Sequence, residues 1–146
     1  MKITVIDGQG GGVGKRLVEG IRAALPDAEI TAVGTNALAT QAMRKAGAQM
    51  AATGENAVVV AARTADVITG PVGVVVADSL LGEITPAMAA AVGGSSARRV
   101  LVPMDLCSTY IAGVEKASVA KLIEDCICRI QKIGEQNTCH FHHTVL

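Results

Sequence analysis

Aromatic residues are nearly missing from the chain, which has one Tyr, one Phe and no Trp. A stacking platform for nucleic-acid bases is therefore excluded. The core must be packed from Val, Ile, Leu, Ala and Met, whose small side chains suit close contact between helices and a sheet. An excess of one charge is missing as well: 13 Lys and Arg stand against 13 Asp and Glu. With no long run of either sign, nothing in the chain reads as a basic footprint for nucleic acid or as an acidic tail. Half of the residues are apolar, yet no uninterrupted stretch approaches the ~20 apolar residues of a membrane-spanning helix. Met1-Lys2 passes straight into a strand pattern, without the apolar segment and small-residue cleavage site of a secretory signal, so the expected compartment is the cytoplasm. In that compartment the four Cys are expected as reduced thiols rather than as a disulfide framework. A chain of 146 residues fits one compact domain that buries roughly two-thirds of its unfolded surface.

Glycine, by contrast, is concentrated where it carries chemistry. In Val5-Ile6-Asp7-Gly8-Gln9-Gly10-Gly11-Gly12-Val13-Gly14-Lys15 a short apolar strand meets five glycines within seven positions and then an amphipathic run. Glycine lets the backbone take positive φ and lets a ligand approach where a Cβ would block it. The N–H groups and partial positive charge of the helix that follows attract an anion. This is the outline of a phosphate cradle, and Asp7, Gly8, Gln9, Gly10, Gly11, Gly12, Val13, Gly14 and Lys15 are its candidate residues.

Periodicity organises the rest. Lys2 to Ile6 reads as a buried strand, and Val13 to Leu25 as a helix with Leu17, Val18, Ile21 and Leu25 on one face, closed by Pro26. Glu29 to Val33 is the next strand, Gly34-Thr35-Asn36 a turn, and Ala37 to Ala46 a small-residue helix ended by Gly47. Ala57 to Ala62 has no clear period and is taken as helix, because Asp66 to Thr69 makes the better strand, broken at Gly70-Pro71. Val72 to Ala77 is a β-branched run open to either state. Thr85 as N-cap and Pro86 at the first helical position start a helix to Val92. Arg98 to Met104 is a strand ending at Pro103. A last helix from about Val114 to Ile133 has Val119, Leu122, Ile123, Cys126, Ile127 and Ile130 on its inner face, and the chain from Gly134 onward reads as a flexible tail. Alternating strands and helices predict an α/β three-layer sandwich with a mostly parallel sheet, a single Rossmann-like domain over residues 1–133. Its ligand belongs beyond the carboxyl ends of the strands, where the glycine loop, Thr35-Asn36, Gly70-Pro71 and Met104-Asp105 should gather.

The loop does not fit G-x-G-x-x-G, since Gln9 stands where the first Gly would fall. It fits G-x-x-x-G-x-G with Gly8, Gly12 and Gly14, a spacing that resembles the nicotinamide-binding loop of short-chain dehydrogenases. Their catalytic Tyr-x-x-x-Lys has no counterpart, since Tyr110 is followed four places on by Val114. No acidic residue for a ribose hydroxyl ends the second strand, where Thr35 and Asn36 stand instead. Gly10 to Lys15 also resembles the Gly-Gly-Val-Gly-Lys of the deviant Walker ATPases. Their signature lysine falls on Gly10 here, and the Mg²⁺-holding Ser or Thr falls on Arg16.

Read together, IDGQGGGVGK, GTNALATQAM, ATGENA and GPVGVVVADSLLGEITPAMAAAVG resemble a family of small bacterial proteins described as a domain of unknown function. The resemblance covers roughly residues 1 to 115. It implies a Rossmann-like fold and the same glycine loop, and no activity.

Other residues have two readings each. Asp7 either accepts from a ligand hydroxyl or a Mg²⁺-bound water, or is satisfied by loop N–H groups. Lys15 either touches a phosphate or is a solvated lysine. Thr35 and Asn36 either read a ribose, or Asn36 caps the next helix. Asp78, Ser79 and Glu83 form a candidate lip of a pocket, with Ser79 more often a turn residue than a nucleophile. Cys107 reads as a buried, inert thiol. Cys126-Ile-Cys128 with Cys139-His140-Phe-His142-His143 invites a metal reading, but Cys126 and Cys128 diverge by about 200° on a helix and cannot easily share an ion, and His140, His142 and His143 would bind metals adventitiously, so no structural metal is expected. The expected function is binding of a nucleotide or dinucleotide, NAD(P)-like, or another small anionic ligand. The alternatives are an oxidoreductase or nucleotide hydrolase completed by a second subunit, and a structural oligomer without ligand. A homo-oligomer, by default a symmetric dimer, accompanies all three.

Overall fold

The computed structural model describes residues 1–104, 109–114 and 117–142, of which 138–142 are described by backbone alone. In chain order the elements are β1 (Lys2–Asp7), α1 (Gly12–Ala24), β2 (Glu29–Gly34), α2 (Ala37–Lys45), β3 (Met50–Thr53), α3 (Glu55–Thr64) and β4 (Val67–Pro71). A 3₁₀ turn (Val72–Val75), α4 (Pro86–Gly93), β5 (Arg98–Val102) and α5 (Val119–His142) complete it. The sheet order is β3-β2-β1-β4-β5, and each neighbouring pair is parallel. Successive β1 residues point to opposite faces, as the pleat requires. Val5 joins Leu17, Ile21, Ile30, Met43 and Ile123 on one side, whereas Ile6 joins Val33, Val58, Ile68, Met88 and Val92 on the other. The two apolar layers make the expected three-layer α/β sandwich, helix on sheet on helix.

The chain winds outward from β1 in one direction through β2 and β3, and in the other through β4 and β5. The order therefore reverses between β1 and β4, and the crevice at their carboxyl ends is where this topology exposes a site. Asp7 ends β1 at that point, flanked by Gly34 at the end of β2.

The structure differs from the sequence expectation beyond a residue or two at element ends, as in β5, which stops at Val102 rather than Met104, chiefly in the following places, each with a local reason. β3 has no counterpart there. It is a short edge strand, Met-Ala-Ala-Thr, mostly solvent-facing, so it has only Thr53 as a β-branched residue and no apolar alternation. Its entry is fixed by Gln49, whose Oε1 accepts from Ile30 N–H at 2.8 Å and whose Nε2 donates to the Ala28 carbonyl at 3.1 Å. Gly70 and Pro71 lie inside β4 rather than breaking it, because Pro is tolerated at a strand end that needs no further donor. The β-branched run after them opens as the 3₁₀ turn. α5 begins at Val119, not near Val114, with Ser118 Oγ accepting from Lys121 N–H at 3.3 Å. The same helix continues through Gly134 to His142, so residues 134–142 are helical where an unstructured tail was expected. A single Gly costs a helix only about 1 kcal/mol against Ala.

Thr69 is fully buried on β4, and its Oγ1 has no hydrogen-bond partner among the described residues. Its cross-strand neighbours are Val5 and Val100. Thr69→Val should raise stability by about 1 kcal/mol by removing an unsatisfied hydroxyl from an apolar site, read as a higher urea midpoint at unchanged slope.

Candidate functional site

Asp7 leaves β1 almost fully buried. One carboxylate oxygen accepts from Gly8 N–H at 2.8 Å and the other from Gly14 N–H at 2.7 Å. Gly14 is the third residue of α1, and the residue before the helix is Gly11, which has no side chain to cap it. Asp7 thus satisfies an orphan donor of the helix from the preceding strand and places negative charge near its positive end. Burial pushes the Asp7 carboxyl above its ordinary range, Glu83 adds to the rise, and the Gly14, Gly8 and Val13 N–H groups oppose it. Of the two readings of Asp7, this geometry is that of a carboxylate satisfied by the loop.

The five glycines fall into two kinds. A Cβ on Gly8 would lie 2.7 Å from Thr35 Oγ1, one on Gly11 2.8 Å from Ala39 Cα, and one on Gly14 2.8 Å from Asp7 Cβ. Gly11 also has a left-handed φ of 73° and closes a turn with its N–H on the Gly8 carbonyl at 2.9 Å. These three are glycines because the chain packs against itself there. A Cβ on Gly10 or Gly12 would meet nothing within 4 Å, and neither has positive φ. Both are exposed, and among the described residues their N–H groups have no partner.

The other side of the crevice is a strap of turns from Val76 to Ile84. Its Leu80 side chain packs at Gly8, Ser79 Oγ donates to the Gly73 carbonyl, and Asp78 N–H donates to the Ile84 carbonyl at 2.7 Å. The Glu83 carboxylate reaches across to the loop. It accepts from Gln9 N–H at 3.1 Å, from Gln9 Nε2, from Thr35 Oγ1 at 2.9 Å and from Asn36 Nδ2 at 2.6 Å. Asn36 also caps α2, its Oδ1 accepting from Ala39 N–H at 2.9 Å. Burial pushes the Glu83 carboxyl up, but the Asn36, Thr35 and Gln9 donors outweigh it and hold the group below its ordinary range.

The site residues expected from sequence are thereby sorted. Asp7, Gly8, Gln9, Gly10, Gly11, Gly12 and Gly14 share the end of β1, and Thr35 and Asn36 join them through Glu83. Val13 is half-buried against the core. Lys15 lines a groove between α1 and α2 with Glu19, Gln41 and Lys45, a groove whose lining includes none of residues 7–12. Asp105, Cys107 and His143 lie outside the described residues. On α5, Cys126 is buried and Cys128 exposed. Burial, with Asp125 beside it, pushes the Cys126 thiol up to about 11, so at neutral pH it stays protonated. Among the described residues no three His, Cys, Asp or Glu side chains gather as a metal site, and no helix is long and apolar enough to cross a membrane.

This loop, strap and sheet lie within a stretch, residues 2–135, that matches a family described as a domain of unknown function, DUF3842. The chain belongs to that family. The match to DUF3842 extends beyond residue 115, where the sequence resemblance ended, and takes in most of α5. Among solved structures, the chain is similar to the crystal structure of a dodecameric FMN-dependent Ubix-like decarboxylase from Escherichia coli O157:H7. The two are 19% identical, over 88% of this chain and 75% of that one, with a TM-score of 0.45. No curated protein matches the chain in sequence.

Glu83, expected from sequence only as part of a pocket lip with Asp78 and Ser79, is the residue of this DUF3842 chain whose contact with the glycine loop the sequence did not indicate. An acid is indeed present at the end of β2, but it arrives on the crossover after β4, 48 residues from Thr35. Its depressed pKa has a testable sign. A carboxylate held lower in the folded state contributes stability above its unfolded pKa and loses it as pH falls through the folded value. The stability gap between the parent chain and Glu83→Gln should therefore narrow between about pH 6 and pH 3, followed by thermal unfolding. A gap that widens on acidification would contradict the hydrogen-bonded carboxylate. Asp7 has the opposite sign: its folded pKa is raised, so its contribution declines as pH rises.

Proposed function

We propose that the chain is a cytoplasmic nucleotide- or dinucleotide-binding module, NAD(P)-like, which holds the phosphate of its ligand on the backbone of the Gly8 to Lys15 loop. The observation that carries this reading is the pair Gly10 and Gly12, exposed glycines with ordinary φ and open space where a Cβ would stand. Glycine there costs backbone entropy, roughly 0.5–1 kcal/mol against Ala, and relieves no contact within the fold. Close approach of a ligand to the backbone accounts for both. Their N–H groups lie beside the N-terminus of α1, at the switch point between β1 and β4, so they offer a phosphate both donors and a favourable dipole. Asp7 then acts as the carboxylate that sets the loop rather than as a group that reacts.

A homodimer fits this module. Met50 on the edge strand β3 and Val60 on α3 are exposed apolar side chains that line one groove, a surface that pairing of two copies would cover.

Thermal unfolding against NAD, NADH, NADP, NADPH, ATP and ADP, each with and without Mg²⁺, tests the reading. Saturation at ~100 times Kd adds about 2.7 kcal/mol, a rise of several degrees for a domain of this size. A shift confined to dinucleotides supports the redox-cofactor form of the module, and one that needs ATP with Mg²⁺ supports the hydrolase-like form despite Arg16. No shift with any of them contradicts a common nucleotide.

A further inference from the structure

We propose that the seat now filled by Glu83 is an oxyanion subsite, and that the Glu83 carboxylate is a built-in stand-in which a phosphate of the ligand must displace. The inference rests on the nucleotide-binding reading above and adds to it how the site opens. Four donors converge on Glu83 from two separate segments: Gln9 N–H and Gln9 Nε2 from the loop after β1, and Thr35 Oγ1 and Asn36 Nδ2 from the turn after β2. A carboxylate offers about four lone-pair sites, so these donors saturate it. A carboxylate poised to read a ribose would keep acceptor capacity in reserve, and this one has none. The seat instead has the character of an anion site made of neutral donors, and Gln9, which supplies two of them, directly precedes Gly10 in the loop whose Gly10 and Gly12 N–H groups have no partner among the described residues. A phosphate resting on those groups would meet Glu83 as a like charge, so the two anions compete for one stretch of backbone.

The strap that delivers Glu83 is held in a costly conformation. Asp78, Leu80 and Leu81 have φ of 63°, 55° and 57°, and Gln9 opposite them has 52°. The left-handed region is disfavoured for residues with a Cβ and persists only where the surroundings hold it. Two of the holding contacts are the Glu83 seat and the bond from Gln9 Nε2 to the Leu80 carbonyl at 3.1 Å. Displacement of the carboxylate from Gln9 frees strap and loop together, while Leu81, 90% exposed at the tip of the strap, has nothing to detach from.

The test follows amide hydrogen exchange and binding together, with inorganic pyrophosphate, NAD and ATP as the probes. In the unaltered chain, a bound probe should slow exchange over residues 10–13 and speed it over residues 76–84. Glu83→Gln and Glu83→Ala should bind the same probe at least tenfold more tightly, since the internal competitor is gone. If the probe binds, the strap becomes more protected along with the loop, and both variants bind more weakly, then Glu83 stays in place to receive the ligand. That result overturns the stand-in and leaves the loop reading standing. If neither the parent chain nor a variant binds any of the three, the loop reading itself fails and this inference with it. The exchange measurement on the unaltered chain decides the matter even if the variants do not fold.

Discussion

Gly70→Ala should destabilise the fold by about 3–5 kcal/mol, the range of severe backbone and packing lesions. A Cβ at this position would stand 2.1 Å from the carbonyl oxygen of Ile6, and φ there is 156°. The obstacle is backbone of the central strand, not the end of a flexible side chain, so it cannot step aside without pulling β1 from β4. Those strands pair in parallel from Ile3 opposite Val67 to Val5 opposite Thr69, and the clash falls on the next residue. Asp7 follows Ile6 directly, so any repair that shifts the strand also shifts the carboxylate that sets the loop. The measurement is urea unfolding beside Gly93→Ala, where a Cβ meets nothing within 4 Å and the change should stay within about 0.5 kcal/mol. A loss below about 1 kcal/mol for Gly70→Ala would show that the β1–β4 approach is looser than a Cβ-to-oxygen distance of 2.1 Å implies.

That position also marks the limit of what a sequence makes legible. β1, α1, β2, α2 and α4 could be read because each carries its own punctuation: an apolar run into glycines, a one-sided apolar face closed by Pro26, an Asn36 or Thr85 cap. β3 could not, since an edge strand of Met and Ala is specified by its partner and by the Gln49 clamp rather than by its own pattern. Gly70-Pro71 reads as a break because in local terms it is one, and only the approach of Ile6 shows the glycine to be a requirement of the sheet. At the site, Asp7, the loop, Thr35 and Asn36 were legible from the strand-loop-helix motif. The division of the glycines was not, because Gly8, Gly11 and Gly14 differ from Gly10 and Gly12 only in what lies beside them in space. Nor was Glu83, which meets Gln9 from 74 residues away. The sequence offered Glu83 only as part of a pocket lip with Asp78 and Ser79, without the loop and turn it reaches.

The second large effect follows from that division of the glycines. Gly12→Val should abolish nucleotide binding while leaving stability nearly unchanged. Gly12 opens α1 with ordinary φ and open space around it, and Val is a slightly better helix residue than Gly, by a few tenths of a kcal/mol. Its side chain would project into the space a phosphate has to enter, and a loss of at least about 100-fold in affinity, ~2.7 kcal/mol, is expected. Gly14→Ala should behave in the opposite way. Its Cβ would meet Met43 Sδ at 2.5 Å and Asp7 Cβ at 2.8 Å, costing about 1–3 kcal/mol of stability by overpacking.

The most direct test of the phosphate cradle is a calorimetric titration into the parent chain and Gly12→Val of whichever nucleotide stabilises the parent chain, with urea unfolding of both proteins alongside. Saturable binding to the parent chain, no measurable binding to Gly12→Val, and coinciding urea midpoints are expected. Equal binding by the two proteins would contradict the cradle, because the ligand would then be held somewhere other than the Gly8 to Lys15 loop.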